Sequence, residues 1–163
     1  MKLRAAVNKD LHFILNQETR EEFQNLIVRW SPDEHLSNIK NPDKGYFMVE
    51  SNQSQIIGYI ILSDLKSIHR CIFLQRIVMD QPGKGQGKKA LKLIMDKVFN
   101  EYQAHRFWLD VFEDNHRAIS AYKSVGFKQE GKLREAFKRE DEYHSMLIMS
   151  ILETEYFNSS KMN

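Results

Sequence analysis

Residues 79–91 read MDQPGKGQGKKAL, and they limit the fold more than any other stretch of the chain. A run rich in β-formers ends at Met79. Gly83, Gly85 and Gly87 follow, and helical periodicity begins at once, with Ala90, Leu91, Ile94, Met95 and Val98 at three-four spacing. Glycines at such density cost backbone entropy, so a strand, a glycine turn and an immediate helix call for a reason. One reason is an anion site, because successive N–H groups converge on one concavity and the helix N-terminus adds partial positive charge. Lys84, Lys88 and Lys89 add full charges. The alternative is a helix-entry turn that holds nothing. Neither nucleotide motif fits: Pro82 stands where a Walker loop needs glycine, and Lys88 where the dinucleotide fingerprint needs its third.

The surroundings of the turn predict the architecture. KLRAAV, GYFMVES, QIIGYIILSDL, HRCIFLQRIVM and HRFWLDVF read as strands, as do roughly residues 126–137 and 142–153. Helices are predicted over 9–17, over 19–30 with Thr19 and Glu22 as a capping box, from a cap at Ser31-Pro32-Asp33-Glu34, over 87–101 and over 115–125. This order predicts an α/β sheet with both parallel and antiparallel pairs. At 163 residues, with no repeat or linker, the chain reads as a single domain spanning 1–163. A net charge of +2 gives no pull toward nucleic acid or membrane, and no basic stripe with interleaved aromatics is present. Cys71 is the single cysteine, no metal is expected, and the segment MKLRAAVNKD lacks a signal peptide's apolar run, so the cytoplasm is the expected compartment.

A second informative stretch is LDVFEDNHRAISAYKSVGF, residues 109–127. A strand ends in acidic residues and Asn115 is placed to cap a helix. Ala118, Ile119, Tyr122 and Val125 make its apolar stripe, and Gly126 ends it. By pattern alone, Tyr122 is a core aromatic.

Together, PGKGQGKKAL and DNHRAISAYKSVGF resemble the phosphate loop and the asparagine-alanine-tyrosine-glycine-phenylalanine run of the GNAT superfamily of acetyl-coenzyme A (acetyl-CoA)-dependent N-acetyltransferases. Pro82 replaces the loop's usual arginine or glutamine. The likeness covers roughly residues 44–153, and within the superfamily it is nearest to the ribosomal-protein and polyamine acetyltransferases. It implies a single mixed sheet of about seven strands flanked by helices. Acetyl-CoA would be held by about 68–127, and an amine acceptor by 8–45 and 128–153. It leaves a homodimer open as the assembly.

The resemblance also implies roles. The backbone at Ile77, Val78 and Met79 would meet the thioester carbonyl. Gly83, Lys84, Gly85, Gln86, Gly87 and Lys88 would cradle the phosphates, and Asn115 and Ala118 would face the pantetheine arm. Lys123 would lie near the phosphates or in solvent. Tyr122 would donate to the departing thiolate, whose pKa of roughly 8 to 9 suits a phenol near 10. Asp110 would be the general base or, alternatively, a strand-end ion pair, with His144 and Glu113 as other candidates. An acidic rim of Glu18, Glu21, Glu22, Asp33, Glu34, Glu135, Glu140, Asp141 and Glu142 would draw a cationic amine. A non-catalytic CoA-binding regulator is the rival reading.

Overall fold

A computed structural model of the chain describes residues 1–160. The elements run β1 (Lys2–Ala5), α1 (Leu11–Glu18), α2 (Pro32–Lys40), β2 (Gly45–Glu50), β3 (Ile56–Ser63) and β4 (Cys71–Met79). Then come α3 (Gln86–Asp96), β5 (Arg106–Phe112), α4 (His116–Ser124), β6 (Lys128–Arg139), β7 (Glu142–Leu152) and α5 (Glu153–Ser160). The strands form one seven-stranded sheet in the order β1-β2-β3-β4-β5-β7-β6. Only β4 and β5 run parallel, joined by the α3 crossover.

The period-two pattern of β2 and β3 sorts their side chains onto two faces. Phe47, Val49, Ile60 and Leu62 pack with Ala90, Leu91 and Ile94 of α3, and this core continues through Phe107 and Leu109 to Ile119 of α4. Tyr46, Met48, Tyr59 and Ile61 face the other way, onto Ile14 of α1 and Phe23.

Ser31 caps α2 as predicted: its Oγ accepts from the Glu34 N–H, and the Glu34 carboxylate accepts from the Ser31 N–H at 2.6 Å. The predicted helix over 19–30 does not form. Arg20 is extended (φ −69°, ψ 138°). Its guanidinium donates to the Asp80 carbonyl at 2.6 Å, which draws the chain across to the end of β4. The Thr19 hydroxyl donates back to the Asn16 carbonyl and Glu22 pairs with Arg20, so no capping box exists there. A short 3-10 turn at Glu21–Phe23 leads into an irregular segment, 24–30. Helix α3 runs on as a π-helical turn, Lys97–Glu101, in which the Tyr102 N–H reaches the Lys97 carbonyl. The C-terminal α5 lies outside the sequence expectations.

Candidate active site

The central opening comes from one bulge. In the β3–β4 ladder Ile61 faces Arg76 and Leu62 faces Leu74, so Gln75 is an extra residue in β4. A bulge bends its strand and increases local twist. The Gln75 side chain is fixed by its neighbours: its Oε1 accepts from Lys44 Nζ at 2.9 Å and from the Ser63 hydroxyl of β3 at 2.5 Å. Strand β4 pairs with β5 only over Cys71–Phe73 and Arg106–Trp108, and beyond that point the two separate. A cavity of about 600 Å³ lies in the gap.

The glycine loop closes one end. Gly83 (φ +88°) and Gly85 (φ +71°) sit in the left-handed region, where a side chain is strained. A Cβ built on either would meet nothing within 4 Å, so the space over the loop is open to a ligand. Gly83, Gly85, Gly87 and Lys88 line the cavity. The Gln86 side-chain oxygen is buried without a hydrogen-bond partner, an orphan at the first turn of α3. An unpaired β4 edge, an open glycine cradle and a helix N-terminus fit an extended arm ending in phosphates. Lys84 Nζ donates to Gln81 Oε1 at 2.6 Å, and Lys84, Gln86 and Lys123 do not line the cavity. Lys123 is exposed. Ile77 and Met79 are on the wall, whereas the Val78 side chain is buried on the α1 face of the sheet.

Asn115, Ala118 and Tyr122 present α4 to the same cavity. Asn115 caps the helix, its Oδ1 accepting from the Ala118 N–H at 3.2 Å. Gly126 (φ +106°) ends it, donating its N–H to the Lys123 carbonyl. Burial, and then the nearby Asp110 carboxylate, raises the Tyr122 pKa, so the phenol stays protonated across the neutral range. Asp110 also lines the cavity, and burial raises its pKa in turn. Of the candidate bases only Asp110 reaches the wall. Glu113 pairs with Lys132, and the His144 ring packs on Phe112 at 6.0 Å.

The other half of the wall is apolar and comes from residues within 8–45 and 128–153 that no motif marked: Phe23 of the 3-10 turn, Leu26, Ile27, Val28 and Trp30 of the irregular segment, and Phe137 of β6. Phe137 reaches it because β6 carries a wide irregularity between Leu133 and Phe137, where Glu135 adopts φ +50° and donates its N–H to the Ser145 hydroxyl. Two arginines clamp the segment: Arg139 donates to the Asn25 carbonyl, and Arg76 to the Val28 carbonyl at 2.7 Å. The acidic rim is thinner than its sequence suggested. Glu18 is buried at 2 % exposure and bonded to Arg76, so it belongs to the interior. A carboxylate with buried partners on α2, β3 and β4 folds inward, which helical periodicity alone does not reveal.

No group of three or more metal-ligating side chains occurs among the described residues, and no helix there is long and apolar enough to cross a membrane.

Comparison with known proteins agrees with this geometry. The chain is 28% identical to the spermidine N(1)-acetyltransferase of Vibrio cholerae, over 99% of this chain and 98% of that protein. It is 27% identical to the Escherichia coli K12 enzyme of the same name, over 99% and 90% respectively. The structure of a V. cholerae spermidine N-acetyltransferase in complex with CoA and spermine superposes with a TM-score of 0.87 at 29% identity, covering 96% of this chain and 98% of that one. The family model described as "Acetyltransferase (GNAT) family" matches residues 11–127, so the chain belongs to the GNAT acetyltransferase family.

Proposed function

We propose that the protein transfers the acetyl group of acetyl-CoA directly to a primary amine, with polyamines as the acceptor class, in the cytoplasm. The observation that carries this is the convergence of Asp110 and Tyr122 on one cavity that ends at the glycine loop. The loop amides and Lys88 hold the phosphates, Asn115 and Ala118 flank the arm, and the β4 backbone around Ile77–Met79 faces the thioester. Residues 68–127 thus hold the cofactor, with the acceptor side built from 8–45 and 128–153.

Acetyl-CoA supplies an activated acyl group, and the chain's own residues do the rest. Asp110, with its pKa raised by burial, accepts the proton that the attacking ammonium must lose. A backbone N–H of β4 receives the developing oxyanion. Tyr122, held protonated, donates to the departing thiolate. Attack is direct, so no covalent enzyme intermediate is required.

The polyamine class is supported by the relatives' named activity and by an apolar wall entered from a turn that carries the exposed carboxylates Glu21 and Glu22. A polyamine combines methylene runs, which suit an apolar wall, with charges that carboxylates near its mouth would attract. Incubation with acetyl-CoA and a panel of amines, following thiol release, tests the reading. Release is expected with spermidine or spermine and not with neutral alcohols. CoA binding without release on any amine would replace it by the non-catalytic regulator.

A further inference from the structure

Glu18 and Arg76 are 2 % and 8 % exposed, and Arg76 Nη1 donates to Glu18 Oε1. The Tyr59 hydroxyl donates to the same oxygen at 2.8 Å, and His35 Nε2 lies 3.3 Å from the other. His35 Nδ1 in turn lies 3.2 Å from the Tyr46 hydroxyl. Burial alone would raise the Glu18 pKa, but His35, Arg76 and Tyr59 outweigh it and hold the carboxylate below its usual range. Replacing a buried ion pair by an apolar pair of the same volume is often neutral or stabilising. Stability is therefore a weak account of why a charged pair stands here.

The rest of Arg76 supplies a better one. Its Nη2 donates to the Val28 carbonyl at 2.7 Å, and its guanidinium lies 4.5 Å from the centre of the Trp30 ring. Segment 24–30 lies outside any helix or strand; Arg139 holds its Asn25 carbonyl, and past the turn that ends with Ile27 N–H on the Phe23 carbonyl Arg76 holds that of Val28. Val28, Trp30 and Arg76 itself line the cavity, and Arg76 precedes Ile77 on the strand that faces the thioester. The Arg76 side chain thus ties the acceptor wall to the strand whose next residue is Ile77.

We propose that Arg76, oriented by Glu18, is a positioning residue that sets the acceptor wall, residues 24–30, against the β4 backbone. The proposal rests on the acetyl-transfer reading of the cavity. A lysine keeps the charge but lacks the planar fork that serves Glu18, Val28 and Trp30 at once.

The test uses a Trp108→Phe background, in which Trp30 is the sole tryptophan of the two in the chain. Arg76→Lys and Glu18→Gln are compared for iodide quenching of Trp30, CoA affinity by calorimetry, and acceptor KM and kcat. Arg76→Lys is expected to raise acceptor KM on the order of 10-fold, to leave CoA affinity unchanged and to expose Trp30 to iodide. Glu18→Gln, whose amide is nearly isosteric, is expected to act in the same direction, and the double variant to add little to Arg76→Lys. Native KM with native quenching in Arg76→Lys would overturn the proposal, as would a parallel loss of CoA affinity. If the parent protein turns over no amine, the acetyl-transfer reading fails, and Trp30 quenching alone still decides whether Arg76 holds the wall.

Discussion

Changing Tyr122 to phenylalanine removes one oxygen and leaves the ring in place, 5.7 Å from the centre of Phe127. The influences on its hydroxyl are burial and the Asp110 charge, with no hydrogen bond among them, so its removal orphans no partner. A polar group buried without a partner costs about 1–3 kcal/mol by mutational measures. The hydroxyl's access to the cavity returns part of that to solvent, and the net change on deletion is a gain of about 0–1 kcal/mol. For a chain of this size about 1 kcal/mol moves Tm by roughly 2–4 °C, so Tyr122→Phe should melt at or slightly above the native temperature. A core phenol with a hidden partner would behave oppositely, losing about 1 kcal/mol. Kinetics should move much further, with kcat falling on the order of 10²-fold at unchanged CoA affinity. Scanning calorimetry beside steady-state thiol release measures both. A lowered Tm with native kcat would refute the reasoning, because it would make the hydroxyl a structural bond rather than a donor to the thiolate.

Gly85→Glu places a side chain at φ +71° and a carboxylate in the phosphate cradle; CoA binding should vanish by calorimetry while the strain costs stability only about 1–2 kcal/mol, and native affinity would remove the cradle. Asp110 has a raised folded pKa, so the fold suffers no penalty below the ordinary aspartate range and an increasing one as pH rises through the folded value. Asp110→Asn should therefore be more stable than the native chain at neutral pH but not near pH 3, and its kcat deficit should shrink at high pH, where more amine is already neutral. Glu21→Gln/Glu22→Gln should raise KM for a cationic acceptor at low salt, the effect fading as the Debye length falls from about 10 Å at 0.1 M to 3 Å at 1 M. Arg106 first, and then Ser150, hold the Glu130 pKa down to about 2. Its contribution is present above the ordinary glutamate range and lost as pH falls toward 2, a dependence that Glu130→Gln should remove in acid melts.

The sequence disclosed what depends on local chemistry. The glycine turn, the Ser31 and Asn115 caps and the Gly126 stop each carry their signal within a few residues, and the strands of the first meander announce themselves as β-rich runs between turn-like stretches. Segment 19–30 misled for the same reason. Thr19 and Glu22 have the spacing of a capping box, but Arg20 is claimed by Asp80 and Gln17, 60 and 3 residues away in sequence. Glu18 misled likewise, since its partners Tyr59 and Arg76 lie on strands 41 and 58 residues distant. The apolar wall carried no local signal because it depends on segment 24–30, held by Arg76 and Arg139 from distant strands, and on the irregularity around Glu135, which no residue type declares.

The short β4–β5 ladder bears on how the molecule comes apart as well as on what it holds. The strands on either side of it are stitched antiparallel to their neighbours, so Cys71–Phe73 against Arg106–Trp108 is the weakest backbone seam of the sheet. The two halves of the sheet, β1 to β4 and β5 to β7, meet there, and one core shared with α3 and α4 joins them. A ligand laid along the seam would replace missing ladder bonds and act as a splint. Amides on both flanks would then exchange as one unit when the cleft is filled and as two when it is not.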